Sequence, residues 1–158
     1  MSKLTKVLLL ISVTSLLSLP LNGHTACLSG DCENGTGFFQ SADGRTYEGD
    51  FKDGFLWGYG TLTTNDGLQY HGNFVQGRFH GYGSLESPDG RTYRGEFHEG
   101  VVDGEGILTE PDGRRYQGEF ILGKFHGQGT MTWPDGRRYT GEFLDDTPQG
   151  YGKMLMPD

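Results

Sequence analysis

Few side chains in this 158-residue chain are placed to act as a nucleophile, a general base or a metal ligand. A serine or cysteine nucleophile needs an imidazole within hydrogen-bond reach. The two cysteines, Cys27 and Cys32, fall near the start, whereas His71, His80 and His126 lie far along the chain. His80 and His126 hold equivalent places in a repeating pattern, two units apart, so the strand spacing separates them by about 20 Å and they cannot share a metal ion. His71 and His80 fall on diagonal positions of adjacent strands, about 7–8 Å apart. With Asn73 they make at most a weak surface metal site, and solvated histidines on a polar face are the better account. The carboxylates Asp50, Glu96, Glu119 and Glu142 recur at one position and form an acidic row that lacks a second ligand for a cation at each step. Arg45, Arg91, Arg114 and Arg137 form a second row. They are the candidate sites for lipid phosphate or another anion, although the Asp two residues before each one offers a structural partner. No catalytic residue, metal site or cofactor is expected.

The elements that position these rows follow from one period. Tyr47, Tyr70, Tyr93, Tyr116 and Tyr139 recur every 23 residues, each opening a Y-x-G-x-F pattern that ends at Phe51, Phe74, Phe97, Phe120 and Phe143. A G-x-G pair follows in every unit, from Gly58/Gly60 to Gly150/Gly152, then an apolar residue two places on (Leu62, Leu85, Leu108, Met131, Met154). An Asp-Gly turn closes the unit at Asp66, Asp89, Asp112 and Asp135. Gly35/Gly37, Phe39 and Asp43-Gly44 are the second half of the same unit. Alternation of period 2 with frequent glycine excludes helix and predicts an all-β, elongated, single-layer antiparallel meander of about 11 strands, twisted into a curved trough.

Pairing the strands predicts a four-residue loop, Val75 to Arg78, with Phe74 facing Phe79, Gly72 facing Gly81 and Tyr70 facing Gly83. Across the Ser87-Pro88-Asp89-Gly90 turn, of type I with a glycine bulge, Leu85 faces Tyr93, Gly83 faces Gly95 and Gly81 faces Phe97. All the rings then share one face and lie over glycines that leave them room. This accounts for 28 glycines and 20 aromatic residues in a chain only 34% apolar. Tyr47, Phe51, Tyr70, Phe74, Phe79, Tyr93, Phe97, Tyr116, Phe120, Phe125 and Tyr139 are the candidate binding face, a continuous and partly exposed aromatic strip.

The unit Y-x-G-x-F-x-x-G-x-x-x-G-x-G-x-L-x-x-x-D-G resembles the MORN (membrane occupation and recognition nexus) repeat over Gly35 to the C-terminus. The resemblance implies an array of β-hairpins without enzymatic activity, used as a scaffold, as a protein-binding or dimerising surface, or as a contact for phosphoinositide lipids. The last unit departs from the pattern, with Asp146 at the loop glycine and Pro148 at an apolar position. Its hairpin is expected to be altered in a way that suits a cap.

Residues 1–26 read as a secretory signal peptide. Lys3 and Lys6 precede an apolar run from Val7 to Leu19, too short for a spanning helix of about 20 residues. Residues 27–34 form an N-terminal cap, 35–46 the half unit, and full units start at 47, 70, 93, 116 and 139. Removing Lys3 and Lys6 takes the formal charge from -8 to -10, which disfavours nucleic acid as a partner. Cys27 and Cys32 are expected to form a disulfide in an exported protein, periplasmic, secreted or surface-bound. Acylation of Cys27 as a lipoprotein is the competing reading. The function that follows is an exported, non-enzymatic interaction or scaffold module, working through the aromatic face or the terminal strand edges and open to self-association. The alternative is a membrane-associated protein, tethered at Cys27 or touching anionic phospholipid through the arginine row.

Overall fold

The computed structural model describes residues 26–157. The segment read above as a signal peptide therefore lies outside the described residues, apart from Ala26. Twelve strands follow in chain order: β1 (Ala26–Gly30), β2 (Thr36–Gln40), β3 (Thr46–Lys52), β4 (Phe55–Thr63), β5 (Gln69–Val75), β6 (Arg78–Glu86), β7 (Thr92–His98), β8 (Val101–Thr109), β9 (Arg115–Ile121), β10 (Lys124–Thr132), β11 (Arg138–Leu144) and β12 (Thr147–Leu155). Each pairs antiparallel with its neighbours in sequence, giving one open meander with β1 and β12 at its edges. The strand beyond the expected eleven is β1. It forms within the N-terminal cap because the chain reverses over residues 31–35, where the Asp31 carboxylate accepts from the Glu33 and Asn34 amides at 2.9 and 3.0 Å.

Every full unit pairs a seven-residue strand with a nine-residue one. The two extra residues are absorbed as a bulge. Phe74 faces Phe79 and Asn73 faces His80, but Gly72 then faces Gly83 and Tyr70 faces Leu85. The expected pairings of Gly72 with Gly81 and Tyr70 with Gly83 are thereby corrected: Gly81 and Tyr82 bulge out of the β5–β6 ladder. Gly81, at φ +60, takes the left-handed conformation such a bulge requires. Because the slip is two residues, an even number, inner side chains stay on the inner face. The same strands pair without interruption on the other side, with Leu85 on Tyr93, Gly83 on Gly95 and Gly81 on Phe97, as expected from the turn at Pro88.

The hairpin loops are shorter than expected. Val75 and Arg78 still pair, and only Gln76 and Gly77 turn the chain, at φ +50 and +74. Positive φ at both central residues marks a type I′ turn, whose twist matches that of the strands. The Gly77 amide also donates to the Leu56 carbonyl of the preceding unit at 2.9 Å. Equivalent bonds join Gly100 to Phe79, Gly123 to Val102 and Asp146 to Phe125, so each turn is stapled to the unit before it. The final hairpin is not altered, contrary to expectation: Asp146 takes φ +67 at the glycine position. Aspartate tolerates this region better than most residues, and its carboxylate accepts from the Phe125 amide at 2.8 Å.

The inner face is the core. Leu56, Leu62, Leu85, Val102 and Leu108 pack among the rings, with Cys32 and Phe39 closing the N-terminal end. Tyr70 lies flat on Phe79 at 3.7 Å between centroids and meets Phe74 and Phe97 edge-on at 5.1 and 5.2 Å. Tyr116 repeats the arrangement with Phe125, Phe120 and Phe143.

Candidate functional site

The aromatic face does not form the partly exposed strip expected of a one-layer sheet. Tyr47, Phe51, Tyr70, Phe74, Phe79, Tyr93, Phe97, Tyr116, Phe120 and Phe125 are all buried, and Tyr139 is half-buried. The reason lies in the glycines. A Cβ added at Gly83 or at Gly72 would come within 2.6 Å of the Tyr70 hydroxyl, so the ring lies down against backbone instead of standing off the sheet. Rings laid flat cover one another and leave little apolar area for a partner. The G-x-G glycines therefore have two jobs. The second sits beneath a tyrosine, whereas the first serves the bulge.

Each tyrosine also ends on a hydrogen bond. Tyr47, Tyr70, Tyr93, Tyr116 and Tyr139 donate to the carbonyls of Asp50, Asn73, Glu96, Glu119 and Glu142 at 2.9, 2.9, 3.0, 3.0 and 3.3 Å. These carbonyls belong to the residues facing the bulge. Burial pushes the Tyr47, Tyr70, Tyr93 and Tyr116 phenols well above their ordinary range, so they remain donors.

The arginine row is engaged. Arg45, Arg91, Arg114 and Arg137 lie 2.8, 3.0, 2.7 and 2.7 Å from Asp43, Asp89, Asp112 and Asp135, and Arg91 also reaches Glu110 at 2.8 Å. The bond from Arg45, with help from Ser41, holds the Asp43 carboxyl down at about 2. Hydrogen bonding to Arg114 and Arg137, first of all to their backbone amides, lowers Asp112 and Asp135 as well. The acidic row stands on the outer face at the bulges, where the Glu119 carboxylate accepts from the Gln128 amide at 3.3 Å and Asp50 accepts from Thr36 at 2.9 Å.

His71 is occupied by Thr61, 2.7 Å from its Nδ1, and by the Tyr59 ring. The histidine beside His80 is His98, with ring centroids 5.4 Å apart. Among the described residues, no group of three or more His, Cys, Asp or Glu is placed to hold a metal ion. Cys27 and Cys32 form a disulfide with their Cα atoms 5.8 Å apart. Trp57 lies under the Lys52 ammonium and Trp133 under the Arg137 guanidinium, at 4.7 and 5.3 Å.

Sequence reasoning missed two exposed features. Tyr59, Tyr82 and Tyr151 occupy the middle of G-x-G, and alternation alone would have put them on the outer face, where they are 52, 64 and 93% exposed. Among the described residues, the core is also open at its last strand. Met154 holds the place at which Leu85 is 1% exposed, yet Met154 is 47% exposed, beside Leu155 and Met156.

An open sheet of stapled hairpins whose rings and glycines repeat in register defines a repeat array. The MORN repeat profile matches residues 47–69, 70–90, 93–113, 116–137 and 139–158. The chain belongs to the MORN repeat family, whose repeats are generally a non-enzymatic module for protein or membrane interaction. The half unit before residue 47 lies outside those matches. A comparison with curated proteins finds none that matches the chain.

Proposed function

We propose that this protein is an exported, non-enzymatic interaction module that engages a protein partner through the edge of β12. The single observation that carries this reading is the burial pattern of that strand. All nine residues of Thr147–Leu155 are exposed, and its inner face presents Met154 beside the half-buried Tyr139. A strand supplied by a partner, a second copy of this chain included, would pair with the backbone edge that β12 leaves unpaired among the described residues and cover Met154, as the next strand does at every earlier unit. The ring-lined face is the weaker candidate, because its side chains are already covered by one another. A lipid-binding arginine row is weaker still, since its four guanidinium groups already have carboxylate partners. The Cys27–Cys32 disulfide supports an oxidising compartment and favours the exported reading over acylation of Cys27.

The test is a pull-down from the exported fraction with the wild type and with Met154→Asp combined with Tyr151→Ser. Both substitutions fall on exposed side chains, so the melting temperature should hold while partners are lost. Retention of every partner by the double variant would refute the β12 reading. Mass spectrometry of the mature N-terminus addresses export: an intact Cys27–Cys32 disulfide supports it as stated, and a diacylated Cys27 replaces it with a tether.

A further inference from the structure

We propose that His80 and His98 together bind one divalent transition-metal ion, of the class of Cu²⁺, Ni²⁺ or Zn²⁺, on the outer face of the sheet. The two residues sit on adjacent strands, β6 and β7, next to the paired positions Gly81 and Phe97. Their ring centroids lie 5.4 Å apart with the planes tilted by 47°. With metal–nitrogen bonds of about 2.0–2.1 Å, two imidazoles on one ion have centroids roughly 5 Å apart, so a small rotation of the side chains closes the chelate.

The pair is free to bind. His98 is exposed and His80 half-buried, and among the described residues neither ring has a hydrogen-bond partner, unlike His71 with its Thr61 hydroxyl. Arg78, two residues before His80 on β6, is paired with Glu99 at 3.2 Å, which offsets its charge. Asn73 faces His80 from β5 on the same side of the sheet and offers an amide oxygen. The backbone ladder fixes the two Cα atoms before metal arrives, which lowers the ordering cost of binding. Imidazole nitrogen selects metals of borderline softness over calcium or magnesium, and the order of affinity within the class favours Cu²⁺. Two protein ligands leave the remaining positions to water.

The experiment is a Cu²⁺ titration of the full chain, by calorimetry and by the nitrogen hyperfine pattern in electron paramagnetic resonance. One ion per chain with imidazole coordination is expected. His80→Ala and His98→Ala should each weaken binding by about tenfold or more through loss of the chelate, whereas His71→Ala and His126→Ala should leave it unchanged. Far-UV circular dichroism checks that each variant keeps the sheet. Failure of the wild type to bind, equal binding by the His80 and His98 variants, or loss of binding in His126→Ala would each overturn the assignment.

Discussion

The Tyr70 hydroxyl donates to the Asn73 carbonyl at 2.9 Å, three residues along its own strand and opposite the bulge formed by Gly81 and Tyr82. The ring reaches that carbonyl only by lying over Gly72 and Gly83. Four features of the repeat are thus one device: the tyrosine, the bare glycine pair, the bulge and the unequal strand lengths.

Removing the hydroxyl alone isolates the hydrogen bond. Tyr70→Phe should cost about 1–2 kcal/mol in urea unfolding, because it strips a part-buried carbonyl of its donor. Tyr139→Phe should cost less, since that ring is half-buried and its bond is 3.3 Å long.

Filling the space beneath the ring is a separate perturbation. Gly83→Ala should destabilise by about 1–3 kcal/mol, as overpacking does in a well-packed core. The closest atom belongs to Tyr70, so combining Gly83→Ala with Tyr70→Phe should cost less than the sum of the two. A strictly additive cycle would show that the two positions do not touch.

The two faces should respond in opposite ways to loss of an aromatic ring. Phe79→Ala removes a buried ring stacked on Tyr70 and should cost about 3–5 kcal/mol. Tyr82→Ala, on the outer face, should stay within about 0.5 kcal/mol. Thermal melts of the two variants measure the contrast directly. They also show why a partner-binding assay on Phe79 variants would confound unfolding with lost contact.

At the last turn, strain and bonding compete at one residue. Asp146→Ala keeps a positive φ and loses the bond to the Phe125 amide, and should cost about 1–2 kcal/mol. Asp146→Gly loses the same bond but relieves the backbone, so its cost should be smaller. Urea denaturation ranks the two, and a more stable alanine variant would contradict the assignment.

The turn aspartates carry a pH signature. The Asp43 carboxyl is held at about 2, below the ordinary value near 4, by Arg45 and Ser41. A group lowered on folding contributes its stability above the ordinary value and loses it as the pH falls through the folded one. The Asp43 contribution should therefore fade between about pH 4 and pH 2. Carboxyl-carbon NMR titration should place the Asp43 midpoint near 2, and Arg45→Gln should move it back toward 4. The exposure of the pair keeps the effect on overall stability small.

Much of this was legible in the residues themselves. The 23-residue period, the strand alternation, the Pro88 turn and the single face shared by the rings all follow from side chains that alternate with period 2 and from turn chemistry local to a few residues. Asp43, Asp89, Asp112 and Asp135, each two positions before an arginine, likewise announced their own pairing. The bulge was not legible, because a slip of two residues preserves every inward and outward assignment; only the ladder distinguishes Gly72 on Gly83 from Gly72 on Gly81. Whether the rings stood up as a trough or lay down as a core was likewise a tertiary matter, decided by the depth of space that facing glycines leave. Side-chain alternation and the 23-residue period were enough to set the repeat and its faces. The three-dimensional packing decided which apolar surface remains free: it consumed the aromatic row, left Met154 uncovered at β12, and brought His98, from the next strand, to His80.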